Sequence, residues 1–88
     1  MANLTKRERL LAERIGERLR QRRDEMRLTQ VEVGNRIDCH ANMVANYEAG
    51  RNTPSAAVLW RLSHAMGRSI DWIVKGDEPQ EGDPCPPT

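Results

Sequence analysis

The chain has 88 residues, the size of one small domain with a modest hydrophobic core. Aromatic residues make up 3% of it and phenylalanine is absent, so little side-chain volume is available to wall the deep pocket that most enzymes use. The net charge is only +1, yet residues 1–36 hold ten basic and six acidic residues, whereas residues 67–88 hold two and five. This polarity is typical of a polyanion-binding protein, and equally of a solvated helix whose charges pair with one another.

The ordered segments all have helical periodicity and none alternates as a strand does, so an all-α fold of five helices is predicted. Thr5 and Glu8 have the spacing of a capping box, which begins the first helix. That helix is predicted to run to about Met26, and residues 1–14 are interpreted as its N-terminal extension, in which Leu4 needs a packing neighbour. One apolar stripe follows the charged rod at every fourth residue: Leu11, Ile15 and Leu19.

The second and third helices are short and close together. Thr29 and Glu32 form a second capping-box pattern, which begins a helix predicted to end at Ile37. After a turn, the third helix is predicted over Ala41–Glu48. Gly50 follows at the position where a helix end favours a left-handed residue.

Two more helices are predicted, over residues 56–66 and 70–75, after a loop at 51–54 that Pro54 keeps out of helical geometry. Each lies between a serine N-cap and a glycine: Ser55 and Gly67, then Ser69 and Gly76. Residues 77–88 hold four of the five prolines together with acids and glycine, so a disordered acidic tail is predicted there. The expected organisation is therefore an extension at 1–14, a domain at 15–76 and a tail at 77–88.

The third helix separates into two faces at 100° per residue. Val44, Tyr47 and Glu48 fall on one side. The other side carries only short side chains: Asn42, Ala45, Asn46 and Ala49. Asparagine can pair bidentately with adenine in the major groove of DNA. Taken alone, however, this face also fits an ordinary solvated helix surface.

A longer pattern favours the DNA interpretation. Residues 29–34 (TQVEVG) and 44–50 (VANYEAG) resemble the Cro and lambda-repressor-like (xenobiotic-response-element type) helix-turn-helix family. The similarity continues in the same order through 15–20 (IGERLR), 52–55 (NTPS) and 69–73 (SIDWI), so it covers about residues 15–76. It implies the five-helix fold of that family, with helix two bracing on the DNA backbone and helix three reading bases in the major groove.

The resemblance assigns expected roles to particular residues. The base-reading set is Ala41, Asn42, Ala45 and Asn46. The phosphate-binding set is Gln30, His40, Arg51 and Asn52, although Arg51 also fits a solvated loop arginine. Arg23 and Glu48 correspond to a structural ion pair between helices one and three, Gly34 to a small residue where helices two and three approach, and Val44 to the anchor of helix three.

The turn before helix three departs from the family pattern. Asp38 stands where glycine is usual, Cys39 where valine is common and His40 where serine or threonine usually caps. Aspartate tolerates the left-handed region, so the turn is expected to form. His40 is a poorer cap by residue type and is a candidate for a phosphate contact.

A dimer is expected, because one small module reads few base pairs and the resemblance points to helix five as the interface. Trp60 lies near the edge of the core stripe of helix four, where it either contacts a second subunit or covers its own core. Trp72, beside Ile73, fits the core better. The possible dimer interface is Trp60, Ile70 and Trp72.

Metal and enzyme chemistry are not expected. Cys39, His40, His64 and Cys85 lack the ligand spacing of a structural zinc site, and neighbouring Cys39 and His40 do not make a nucleophile–base pair. We expect no cofactor, no small-molecule effector and no membrane association, and a cytoplasmic, nucleoid-associated location.

The sequence therefore predicts a dimeric repressor that binds double-stranded DNA at a two-fold symmetric operator. The alternative is a protein-interaction module, such as an antitoxin or co-regulator, that uses the same fold and binds DNA weakly or only with its partner. That alternative predicts a binding surface at Trp60, helix five or the tail.

Overall fold

A computed structural model of the chain describes residues 5–76. That part of the chain folds into five helices without a strand: α1 Lys6–Glu25, α2 Gln30–Ile37, α3 Ala41–Glu48, α4 Ala56–Met66 and α5 Ile70–Lys75. The predicted all-α fold of five helices, the first extended toward the N-terminus, is confirmed. The expectations for Leu4 and for the tail at 77–88 lie outside the described residues. No helix within residues 5–76 is long and apolar enough to cross a bilayer.

Side-chain caps begin the helices at the predicted residues. Thr5 and Thr29 each form a capping box, in which the threonine hydroxyl accepts a hydrogen bond at 3.1 Å from the amide three residues later. Ser55 and Ser69 accept in the same way at 3.3 and 3.0 Å. Each bond satisfies an amide that has no acceptor within its own helix, which is why these residues fix the helix starts.

One capping box includes a titratable group. The amide of Thr29 donates to Glu32 Oε1 at 2.8 Å, and this bond lowers the pKa of Glu32 below its ordinary value of 4.5. Because the folded pKa is the lower one, the interaction stabilises α2 above the pKa of Glu32 in the unfolded chain. It is lost as the pH falls through the folded value.

The end of α1 is unusual. The helix was predicted to run to about Met26, which is its C-cap, and Arg27 follows in the left-handed region at φ 57°. The amides of Arg27 and Leu28 donate back to carbonyl groups of the last turn of α1 at 3.0 Å each. This is the Schellman arrangement, with an arginine at the position that glycine usually occupies. It turns the chain into Leu28, which packs against the core.

The core draws on all five helices. Its buried members are Ile15 and Leu19 of α1, Val33 and Ile37 of α2, Val44 and Tyr47 of α3, Leu62 and Met66 of α4, and Ile73 of α5. Among the described residues, no buried side-chain nitrogen or oxygen lacks a hydrogen-bond partner. Burial raises the pKa of the Tyr47 phenol. The apolar stripe predicted for α1 therefore points inward, and Leu11 contacts the core from its edge.

Two glycines allow close backbone contacts, one at the C-terminal end of α3 and one at the turn that precedes α3. A Cβ atom on Gly16 would lie against the carbonyl oxygens of Tyr47 and Glu48, only 2.6 Å from the latter. A Cβ atom on Gly34 would lie 2.5 Å from the carbonyl oxygen of Cys39 in the turn. The family resemblance predicted a close approach of α2 and α3 at Gly34. The close crossing of α1 and α3 at Gly16 was not predicted.

Several arginine side chains donate hydrogen bonds to the C-terminal ends of helices. Arg18 donates to two carbonyl groups in the last turn of α5 at 2.8 and 3.1 Å, and Arg22 donates to the last carbonyl group of α4 at 2.8 Å. Arg36 reaches the neighbouring carbonyl group of α4 at 3.2 Å. Because the C-terminal end of a helix carries partial negative charge, these bonds hold α4 and α5 against α1 and α2.

Replacement of Gly16 by alanine tests the crossing of α1 and α3. We expect Gly16→Ala to lower the free energy of unfolding by about 1–3 kcal/mol, because the added methyl group overpacks a backbone contact that cannot yield. Urea unfolding followed by circular dichroism measures this change. Glu17→Ala, at the adjacent exposed position, is the control and should be close to neutral. A neutral or stabilising Gly16→Ala would show that the helices are not held in close contact there.

Candidate functional site

The two predicted faces of α3 are present in the structure. On the inner side, Val44 and Tyr47 are buried, and the side chain of Glu48 is only 6% exposed. On the outer side, the exposed or half-buried residues are short: Ala41, Asn42, Ala45, Asn46 and Ala49. Asn42, Ala45 and Asn46 therefore share one face with Ala49, and Ala41 lies half-buried at the N-terminal end of α3.

Glu48 joins three helices. Arg23 of α1 donates to it from Nε at 2.6 Å and from Nη2 at 3.1 Å, and Gln30 of α2 donates from Nε2 at 3.2 Å. The Arg23 side chain is 15% exposed and also donates to the carbonyl group of Leu28 at 2.9 Å. The bond to Glu48 raises the pKa of Arg23 although burial acts in the opposite direction. The forked pairing fixes the position of α3 relative to α1 and α2.

The N-terminus of α2 lies beside this network. Its capping box engages the amide of Glu32, which leaves the first-turn amides of Gln30 and Val31 without an acceptor inside the helix. Together with the helix dipole, such amides attract an anion. Gln30 is half-buried and is held by Glu48, so its side chain links the end of α2 to the inner edge of α3.

The turn between α2 and α3 forms in spite of its atypical residues. Asp38 adopts the left-handed region at φ 58° and ψ 44°, as aspartate can. Cys39 is half-buried and packs against the core, as a small apolar residue would. His40 caps α3, since its Nδ1 accepts from the amide of Asn42 at 3.1 Å. In a neutral ring the proton then resides on Nε2, on the other edge of the imidazole.

The loop after α3 carries the last two predicted phosphate-binding residues, Arg51 and Asn52, both exposed. Gly50 precedes them at φ 75°, and a Cβ atom there would lie 3.0 Å from Cα of Glu13. Arg51 Nη1 donates to Oδ1 of Asn46 at 3.2 Å, a contact that sequence reasoning did not foresee. Asn46 and Arg51 are brought together by a Schellman motif, in which the amide of Arg51 donates to the carbonyl group of Asn46 at 3.0 Å. Gly50 was a sequence signal for that motif, but not for the bond between the two side chains.

The candidate interface residues belong to α4 and α5 and not to α3. The α3 helix packs on α1 and α2, whereas α5 packs on α1 and α4. Trp60 is 59% exposed and its ring lies 4.5 Å from that of His64, while Ile70 is 37% exposed. Trp72 is half-buried against the core, and the guanidinium of Arg68 lies 4.2 Å from its ring centre. Trp60 does not cover its own core, and this removes one of the two interpretations left open by the sequence.

No group of three or more histidine, cysteine or acidic side chains is placed to hold a metal ion among residues 5–76. Cys85, one member of the set weighed above, lies outside the described residues.

Comparisons with known proteins agree on the fold. Residues 19–73 match a family model described as helix-turn-helix. The HTH-type transcriptional regulator DicA of Escherichia coli is 34% identical over 73 residues, which cover 83% of this chain and 53% of DicA. Multiprotein-bridging factor 1 of Candida albicans is 36% identical over 53 residues, which cover 60% of this chain and 35% of that protein. The chain spans 35–63% of the length of the first curated relatives that it matches.

Superposition on a solved structure also supports the helix-turn-helix fold. The P22 c2 repressor protein, crystallised in complex with synthetic operator 9T, superposes with a TM-score of 0.70 and 30% sequence identity. The superposition covers 72% of this chain and 96% of the repressor chain.

Removal of Arg23 tests the network around Glu48. We expect Arg23→Ala to lower the free energy of unfolding by about 3 kcal/mol, because it leaves a nearly buried carboxylate without its charged partner. Replacement of both members, as Arg23→Met with Glu48→Leu, should recover most of this loss, since the cost of burying the charge disappears as well. Chemical denaturation measures both changes. A loss of about 1 kcal/mol or less for Arg23→Ala would instead describe a surface ion pair.

Proposed function

The chain belongs to the lambda-repressor-like helix-turn-helix family of DNA-binding transcriptional regulators, and from that premise we propose that the outer face of α3 reads base pairs in the major groove. The observation that supports this most strongly is the composition of that face. Within α3, every side chain on it is an alanine or an asparagine, and the long side chains of the helix point inward.

Small side chains suit a helix that lies in the major groove of DNA. Ala41, Ala45 and Ala49 allow the helix to approach base edges without a clash, and their methyl groups can contact the thymine methyl. Asn42 and Asn46 lie one helical turn apart and each offers an acceptor and two donors to a base edge. We therefore assign base discrimination to Asn42 and Asn46.

Phosphate contacts would surround this face. The free amides at the start of α2 and the Gln30 side chain are proposed to hold one backbone phosphate, and Arg51 with Asn52 a second one beyond the end of α3. The Nε2 edge of His40 is proposed to donate to a third, because its Nδ1 edge is occupied by the cap. Binding driven by such contacts weakens steeply as salt concentration rises.

A second copy of the chain is the proposed occupant of the Trp60 and Ile70 surface. Both side chains are exposed and apolar, and they belong to α4 and α5, which do not form the base-reading face. A two-fold pair of modules would place its two reading helices about 34 Å apart, at successive turns of the major groove. The proposed target is therefore a two-fold symmetric operator, bound by a protein located in the cytoplasm. Where such an operator overlaps a promoter, binding would repress transcription.

One observation also supports the alternative, a co-regulator that binds a protein partner. A tryptophan 59% exposed is a typical anchor of a protein interface, and multiprotein-bridging factor 1 is among the similar proteins. This alternative predicts that DNA selection gives no enriched sequence unless the partner is present.

Selection of bound sequences from random duplex DNA tests the base-reading assignment. The wild-type chain should enrich a two-fold symmetric consensus, and Asn46→Ala should lose preference at one base pair in each half-site, by about tenfold in a competition assay. Asn35→Ala, at an exposed asparagine of α2, is the matched control and should select the wild-type consensus. An unchanged preference in Asn46→Ala would refute the assignment, and the absence of any consensus would favour the co-regulator.

Oligomeric state tests the proposed interface. We expect Trp60→Gln to weaken dimerisation in sedimentation velocity and to abolish cooperative binding to a duplex with two half-sites. Binding to an isolated half-site should be retained, because Trp60 belongs to α4 and not to the proposed base-reading helix. Leu10→Gln removes another exposed apolar side chain, 48% exposed on α1, and should dimerise normally. Equal dimerisation of Trp60→Gln and the wild type would remove Trp60 from the interface.

A further inference from the structure

The side chain of Arg51 is hydrogen-bonded to a proposed base-reading residue. We propose that Arg51 is a specificity-determining positioning residue, which sets the orientation of the Asn46 amide before DNA is bound. The inference rests on the proposed function, because it concerns how Asn46 reads a base. It gives Arg51 a second role besides the phosphate contact.

The chemistry of the contact fixes the amide. An arginine guanidinium has only N–H donors, so the atom of Asn46 that faces Nη1 at 3.2 Å must be the acceptor Oδ1 and not Nδ2. The terminal torsion of asparagine is otherwise broad and nearly two-fold, and a rotation by half a turn exchanges donor and acceptor. With Arg51 bound to Oδ1, the opposite edge of the amide presents the two N–H groups of Nδ2. One lone pair of Oδ1 remains available as an acceptor.

The backbone supports this arrangement. The amide of Arg51 donates to the carbonyl group of Asn46 at 3.0 Å, so the same two residues are joined by a main-chain bond and a side-chain bond. Gly50 between them is buried and packs against Glu13 of α1, closely enough that a Cβ atom would lie 2.9 Å from Cγ of Glu13. The start of the Arg51 side chain is therefore held in place by the fold, and only its own torsions are free.

Asn42 provides an internal comparison. It is exposed one turn earlier on the same face, and within residues 5–76 no side chain donates to its amide oxygen. Orientation by Arg51 should therefore affect the base pair read by Asn46 and leave the base pair read by Asn42 unchanged. A role of Arg51 confined to phosphate binding would weaken binding to all sequences alike.

A double-mutant cycle on base discrimination separates the two roles. The probe is the duplex that the full chain selects, together with duplexes changed at the base pairs that depend on Asn46 and on Asn42. We expect Arg51→Met to lower affinity for all of these duplexes and, in addition, to lower discrimination at the Asn46 base pair by about fivefold. In the Asn46→Ala background, Arg51→Met should lower affinity uniformly and change no discrimination.

Two further readouts complete the test. In the protein without DNA, Arg51→Met should shift the side-chain NH₂ resonances of Asn46 and leave those of Asn42 in place. Arg36→Met is the matched control, because Arg36 is also exposed and also donates one hydrogen bond at 3.2 Å, but to a carbonyl group of α4. It should retain the wild-type discrimination.

The outcomes distinguish this inference from the proposed function. If the wild type selects no consensus, the proposed function fails and the inference fails with it. If the wild type selects a consensus that Asn46→Ala relaxes, while Arg51→Met lowers affinity equally for every duplex, base reading by Asn46 is retained and its positioning by Arg51 is overturned. A loss of base discrimination caused by Arg51→Met that persists in the Asn46→Ala background would also overturn it.

Discussion

The arrangement of the domain depends on one nearly buried carboxylate. Glu48 accepts hydrogen bonds from Arg23 on α1 and Gln30 on α2, at the point where Gly16 allows the backbones of α1 and α3 to touch. On a helix proposed to read DNA, a free carboxylate would repel phosphate. Paired inside the domain, it instead fixes the rotation of α3 about its own axis, and that rotation decides which side chains face outward.

Hydrogen bonds within the domain also account for much of the basic charge in the N-terminal part of the sequence. The basic N-terminal part of the sequence fitted a polyanion-binding protein and a helix with paired charges equally well. In the structure Arg18, Arg22 and Arg23 all donate into the domain, to helix ends and to Glu48. The proposed DNA contacts depend less on net charge than on a few directed groups around α3. Specificity in such a site comes from the placement of donors and acceptors, whereas the helix-end arginines contribute to the stability that keeps them in place.

Much of the fold was predictable because its signals are local. Capping residues such as Thr29 and Ser55 bond to amides three positions away, so their sequence spacing carries the geometry. Two kinds of feature were not predictable. The left-handed Arg27 has no residue-type signal. Gly50 predicts that the backbones of Asn46 and Arg51 meet, but the bond between their side chains depends on side-chain torsions that the sequence does not determine. The outward face of α3 was predictable from helical periodicity, but its proposed role in base reading rests on the family resemblance.

The most direct test of this account is a chemical-shift map of the isotopically labelled chain bound to the duplex that it selects. The account predicts that the largest backbone changes fall on the first turn of α2, on the outer face of α3 at Asn42, Ala45 and Asn46, and on Ala49 and Arg51 just after that helix. The α4 and α5 resonances should change only through a second copy of the chain. Changes concentrated around Trp60 and Ile70, with α3 unaffected, would contradict the account and identify the protein-interaction surface as the functional one.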